Sequence, residues 1–302
     1  MSMVQTVLGP IPAVDLGLTL SHEHLLCRPP GKVGDDDADL VLDDPEAAIA
    51  ELAAFKAAGG KALIEVTPVD YGRNLAGLVE LSRRSGVHIV AATGLHKEQF
   101  SAPYTSRSDE DQLADTFMQE LEVGVSGVRA GVIKLGTSLD QITAGERKAF
   151  TAAALAQRAT GATITTHTEA GRLAFEQLEV LLGAGADPER IIIGHLDRLL
   201  DTGYHEAVLR TGAYVSYDQV GKPKYASDQQ RAEALATLVA RGHGAKLLIS
   251  GDLGRKSYWS AYGGSPGLDY IPKRFLDMLC AAGLSAGQAE ALVVANPSRA
   301  FA

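Results

Sequence analysis

Short apolar runs in this chain repeatedly end in residues that bind metals or move protons. Near the N-terminus the chain reads Ser21-His22-Glu23-His24. On a strand, residues two apart share a face, so His22 and His24 point the same way. Two converging imidazoles in an apolar setting suit a divalent metal. Three further runs end alike: Ile164-Thr-Thr-His167, Ile191-Ile-Ile-Gly-His195 and Leu247-Leu-Ile-Ser-Gly-Asp252. A single histidine after a strand is usually structural. Four histidines and an aspartate at the same end of four strands are hard to assign to packing. Lys134 lies inside a further run, Gly131-Val-Ile-Lys134-Leu-Gly136. A lysine is rarely buried unpaired. Either its amine leans out of the sheet end or pairs with an acid, or it is neutral and reacts with carbon dioxide. The resulting carbamate is an anionic ligand with two oxygens, able to bridge two metals. Desolvation and nearby cations favour the neutral amine that this requires.

Something must bring these strand ends together. Eight β-rich runs cover Thr19–Leu26, Ala62–Thr67, His88–Thr93, Gly131–Gly136, Thr163–His167, Ile191–His195, Ala213–Tyr217 and Lys246–Gly251. Helical patterns separate them. Asp44 caps one, with Pro45 at its first position and Gly59-Gly60 as its stop. Thr143 and Glu146 have the form of a capping box before the next long one. Others span about 73–84, 109–123, 171–183, 228–241 and 273–282. The runs recur at a mean of about 33 residues, enough for a strand, a helix and two loops. The expected fold is a (β/α)₈ TIM barrel spanning residues 1–302 as one domain, whose catalytic residues gather at the C-terminal mouth. No Gly-x-Gly-x-x-Gly follows the first run, which argues against a dinucleotide-binding sheet.

The whole set resembles the phosphotriesterase family of the amidohydrolase superfamily. The resemblance runs from Val7-Leu-Gly-Pro10 and Leu18-Thr-Leu-Ser-His-Glu-His-Leu25 to Asn296-Pro-Ser-Arg-Ala-Phe301, through the strand ends quoted above. It implies a binuclear metal centre. His22, His24 and Asp252 would hold the more buried ion, and His167 and His195 the more exposed one. Carboxylated Lys134 and a hydroxide would bridge the two. Asp252 would act as the catalytic proton acceptor. Mixed nitrogen and oxygen ligation suits zinc, and manganese, cobalt or iron also fit. A homodimer is implied at the family level.

The family spans lactonases, phosphotriesterases and amide hydrolases, so the loops must choose the substrate. After the seventh run comes Tyr217-Asp218-Gln219-Val220-Gly221-Lys222-Pro223-Lys224-Tyr225. After the eighth comes Gly254-Arg255-Lys256-Ser257-Tyr258-Trp259. Both belong at the mouth, where barrels often hold phosphate. Lys222, Lys224, Tyr225, Arg255 and Lys256 are therefore the expected substrate contacts, and Arg73 is a weaker one. These loops resemble those of relatives acting on sugar lactone phosphates. Gln219 stands where phosphotriesterases proper carry a histidine, and Gly94-Leu-His96-Lys97 stands where acyl-homoserine lactonases carry a tyrosine. Phe100, Tyr104 and Trp259 could form one wall. His88, His96, His205 and His243 are assigned to no metal.

The expected activity is hydrolysis of an anionic or phosphorylated sugar lactone. A phosphotriesterase or N-acyl amide hydrolase on the same centre, and a silent ligand-binding barrel, are the alternatives. A net charge of −9 removes the bulk footprint of a nucleic-acid binder. Two cysteines give no disulfide framework, and no targeting or membrane-spanning segment is visible, which suits the cytoplasm. Asp35–Asp39 reads as a solvated acidic loop, with a cation site as its alternative.

Overall fold

The computed structural model describes residues 2–31 and 35–302. A short antiparallel pair, β1 (Met3–Thr6) and β2 (Gly9–Pro12), comes first and was not foreseen. Eight parallel strands then form one sheet in strict sequence order: β3 (Thr19–Glu23), β4 (Ala62–Glu65), β5 (His88–Gly94), β6 (Val132–Gly136), β7 (Thr163–His167), β8 (Ile191–Gly194), β9 (Tyr214–Tyr217) and β10 (Leu247–Ile249). All eight expected runs are strands, mostly trimmed by one to three residues at an end. The sheet curls into a (β/α)₈ barrel. Its seam between β10 and β3 is closed just past the strand ends. Asp252 N donates to His22 O at 3.1 Å, and His22 N donates to Ser250 Oγ at 3.0 Å. Buried Glu23 completes the seam, accepting from Ser250 Oγ, Gly251 N and Leu253 N.

Helices α1 (Pro45–Ala57), α2 (Leu75–Ser85), α3 (Glu98–Thr105), α4 (Glu110–Glu122), α5 (Ala144–Thr160), α6 (Ala174–Gly183), α7 (Thr202–Leu209) and α8 (Asp228–Ala240) follow successive strands. Asp44 caps α1 and Thr143 forms its capping box on α5, as their side-chain chemistry dictates. α3 and α7, each eight residues long, were missed; α3 even contains Pro103.

Two apolar cores divide along the strand period of two. Leu63, Ile89, Ile133 and Ile193 face outward and pack against the helices. Ile64, Val90, Val132, Ile192, Tyr214 and Leu248 face inward and fill the barrel floor, closed below by Val4, Leu16 and Phe301. Continuing the inward series by two or four residues gives Lys134, Asp218 and Asp252. The alternation that packs the floor therefore also aims the chemistry at the mouth. No described helix is long and apolar enough to cross a membrane.

Candidate metal centre

The register of β7 and β8 sets the first pair of ligand-type residues side by side. His167 pairs with Gly194, and His195 follows at once, so their rings meet at 4.5 Å between centroids. The His195 and His22 rings lie 4.7 Å apart. Lys134 Nζ is 3.1 Å from His22 Nε2. Asp252 Oδ1 lies 3.4 Å from His24 Nε2 and 3.8 Å from His22 Nε2. The structure thus brings together all six residues expected at the centre.

Proton placement shows whether this set fits metal ions. His195 Nδ1 lies 2.5 Å from Asp218 Oδ1. Burial pushes the Asp218 carboxyl up, but His195 and His22 more than offset it and hold it well below its ordinary value. An ionised carboxylate only accepts, so the proton is on His195 Nδ1. His22 Nδ1 faces the other oxygen, Asp218 Oδ2, at 3.3 Å. Thr67 Oγ1 donates its one proton to Glu65 at 2.5 Å, so it accepts from His24 Nδ1 at 2.7 Å. His167 Nε2 faces Glu169 Oε2 at 3.2 Å. His24, His167 and His195 therefore each turn one nitrogen to an acceptor, the arrangement in which imidazoles ligate metals, whereas His22 Nδ1 lies near Asp218 without a hydrogen bond and its Nε2 faces Lys134 Nζ at 3.1 Å. The ligand atoms of His22, His24 and Asp252 lie within 4.8 Å of one another, close enough for one ion. A second trio, His22, His195 and Asp218, is equally tight. There Asp218 also accepts from the His195 backbone N–H, so it holds the His195 ring from behind.

Electrostatics agree with ligation by neutral groups. Burial lowers His22 well below its ordinary value and His167 to about 3, so neither ring carries charge at neutral pH. Burial also brings Lys134 down to about 8, against the pull of Asp252 and Asp218. For Asp252, burial raises the carboxyl, but Lys222, His24, His195 and His22 outweigh it and keep it ionised.

Above the centre lies a cavity of about 360 Å³. Lys97, Arg198, Lys222, Lys224 and Arg255 line it, against only Glu169 and Asp252 among the described carboxylates. Tyr71, His96 and Phe100 make an aromatic wall, with His96 and Phe100 stacked at 5.4 Å. The expected substrate residues divide. Lys224 and Tyr225 line the cavity, with Lys224 Nζ 4.8 Å from the Tyr225 ring. Arg255 lines it too and reaches toward Asp39 at 3.5 Å. Lys222 goes deeper: it is buried and donates to Asp252 Oδ2 at 2.8 Å and Gln219 Oε1 at 3.2 Å. Lys256 is not among the lining residues; its Nζ is 3.7 Å from Asp43 and 5.5 Å from the Tyr262 ring.

Other expectations change. Arg73 is no substrate contact: it is bidentate to Glu120 at 2.6 and 3.0 Å, bracing the barrel against α4. Trp259 is fully buried and anchors its loop through Nε1 to Leu253 O at 2.7 Å, so it forms no cavity wall. Tyr104 lies outside the lining. In the acidic run, the side chains of residues 35–37 lie outside the described residues. Asp39 accepts from Ser257 N and Oγ, both at 2.7 Å. Sequence reasoning gave no role to Asp218, Glu169 and Arg198. Only Asp218 carried a signal, as the last inward position of Tyr214, Ser216 and Asp218.

The sequence profile of the Phosphotriesterase family matches residues 2–301. A phospho-furanose lactonase from Mycoplasmopsis synoviae is 31% identical, over 99% of this chain and 91% of that protein. The structure of a lactonase from Listeria monocytogenes superposes with a TM-score of 0.94 at 35% identity, covering 100% of this chain and 99% of that one. The phosphotriesterase homology protein from Escherichia coli, solved with phosphate in its active site, gives 0.90 at 33% identity over 95% and 99%.

Proposed function

Because this chain belongs to the phosphotriesterase family, we propose that it is a two-metal lactonase acting on a phosphorylated sugar lactone. One observation carries the reading. A single cavity has His22, His24, His167, His195, Asp252 and Lys134 at its floor, and Lys224 and Arg255 at its rim. Two relatives support an anionic substrate: the M. synoviae protein is named for a phospho-furanose, and the E. coli protein holds phosphate in its active site.

His22, His24, Lys134, His167, His195 and Asp252 would hold two divalent ions, zinc by ligand type. Bound there, the ions would supply an activated water and a Lewis acid for the lactone carbonyl. With its amine near 8, roughly a tenth of Lys134 is neutral at pH 7, the form that reacts with carbon dioxide to give a carbamate. Lys222 and Gln219 Nε2 fix Asp252 through its Oδ2, the latter at 2.9 Å. That leaves Oδ1 on the side of His22 and His24. Asp252 accepts the proton released as the carbonyl is attacked and returns it to the ring oxygen as the lactone opens. Lys224 and Arg255 bind the phosphate, a point charge beside a planar donor fork.

The test is proton release from a γ-lactone sugar and from its 5-phosphate. The phosphate should raise kcat/KM by about a hundredfold, or about 2.7 kcal/mol of transition-state binding. Lys224→Ala and Arg255→Ala should erode that preference while sparing the unphosphorylated lactone. Equal rates for both lactones in the native protein would overturn the phosphate assignment.

A further inference from the structure

Glu169 belongs to no expected site, yet three loops converge on it. It follows β7 in a turn whose Ala170 (φ 55) and Leu173 (φ 67) adopt left-handed backbone, a conformation that side chains other than glycine seldom take. The turn folds the carboxylate back onto its own strand end. There Oε2 meets His167 Nε2 at 3.2 Å and Lys97 Nζ at 2.6 Å. Oε1 meets Arg198 NH1 at 2.9 Å. Lys97 comes from the loop after β5, and Arg198 from the loop after β8. Arg198 is itself braced by the Tyr225 ring, 4.6 Å from its guanidinium carbon. All three charged groups line the cavity, and each side chain is less than a quarter exposed. A surface ion pair would not need this clamp. Two left-handed residues carry a local cost, and backbone strain of this kind clusters at functional sites.

We propose that Glu169 is a positioning residue for the more exposed metal position, held by Lys97 and Arg198 so that it fixes the ring orientation and tautomer of His167. This rests on the two-metal reading above. Glu169 anchors the proton at His167 Nε2 and keeps Nδ1 as the ligating atom. Partners of this kind typically change metal affinity by about 10- to 100-fold.

The experiment uses full-length protein loaded with zinc. Metal content is measured by elemental analysis, and release is followed with a chromogenic chelator. Native protein should carry two ions and release them in two phases. Glu169→Ala should accelerate the fast phase about tenfold or more and leave the slow phase, from His22, His24 and Asp252, unchanged. Glu169→Gln keeps an acceptor oxygen and should fall between the two. Native release rates in both variants, or equal acceleration of both phases, would overturn the positioning role. Native protein with fewer than two ions would overturn the two-metal reading itself, before any variant is compared.

Discussion

Asp218 offers the sharpest test of how the histidines are prepared, because one carboxylate hydrogen-bonds the His195 ring and lies against the unpartnered Nδ1 of His22. Its Oδ1 is 2.5 Å from His195 Nδ1, and its Oδ2 is 3.3 Å from His22 Nδ1. In Asp218→Asn, one oxygen still accepts while the other becomes an NH₂ donor. The amide can satisfy His195 or His22, but not both. The ring that meets the NH₂ must move its proton to Nε2. For His22 that places an N–H on the nitrogen 3.1 Å from Lys134 Nζ, where a ligand lone pair is needed. Removing one such partner costs about 10- to 100-fold in metal affinity, or about 1.4–2.7 kcal/mol. His22 and His195 are assigned to different ions, so one ion should weaken by this amount and the other hold. Asp218→Ala should weaken both. It also strips an acceptor from the buried His195 backbone N–H, at about 1–3 kcal/mol of folding stability. Competition against a chelator of known affinity measures each ion, and thermal unfolding in excess chelator isolates the stability term. If folded Asp218→Asn bound both ions within about threefold of the native protein, the tautomer argument would fail.

Lys134→Ala should lose metal and hydrolytic activity, and a short-chain carboxylic acid should restore part of both by supplying the missing bridging oxygens. Tight binding of two ions by the alanine variant without added acid would count against the bridge. His205 tests the pH logic away from the centre. It is buried in α7, donates from Nε2 to Leu199 O at 2.9 Å and accepts at Nδ1 from Tyr217 OH at 2.7 Å. Burial lowers it to about 4 from 6.5. A depressed histidine favours folding fully above 6.5, and that contribution is lost as pH falls toward 4, by about 3 kcal/mol in the limit. Urea unfolding at pH 5 and pH 7 should therefore show a larger acid loss in the native chain than in His205→Gln, and equal losses would refute the assignment.

The strands were legible, and Lys134 and His167 follow their period of two, whereas His195 lies three residues past inward Ile192 and reaches the mouth through left-handed backbone (φ 62). Val132 and Lys134 share a face, and so do Leu248 and Asp252 along their extension. The hairpin of β1 and β2 was not legible, since four-residue strands, the second opening on Gly9 and Pro10, carry no periodic signal. Loop residues were harder still. Lys222 and Lys224 are two apart in sequence, yet one is buried against Asp252 and the other is exposed. Their fates depend on how the loops after β9 and β10 pack, which involves the buried Trp259. Glu169 was invisible for a related reason: its direction is set by left-handed backbone at Ala170, not by strand alternation.

The central claim is that this cavity works only when its floor holds two ions. Metal-free protein should be titrated with zinc while lactone phosphate hydrolysis and bound metal are followed in the same sample. Activity should stay low through the first equivalent and rise as the second binds. Full activity in chelator-treated protein carrying almost no metal would contradict the account.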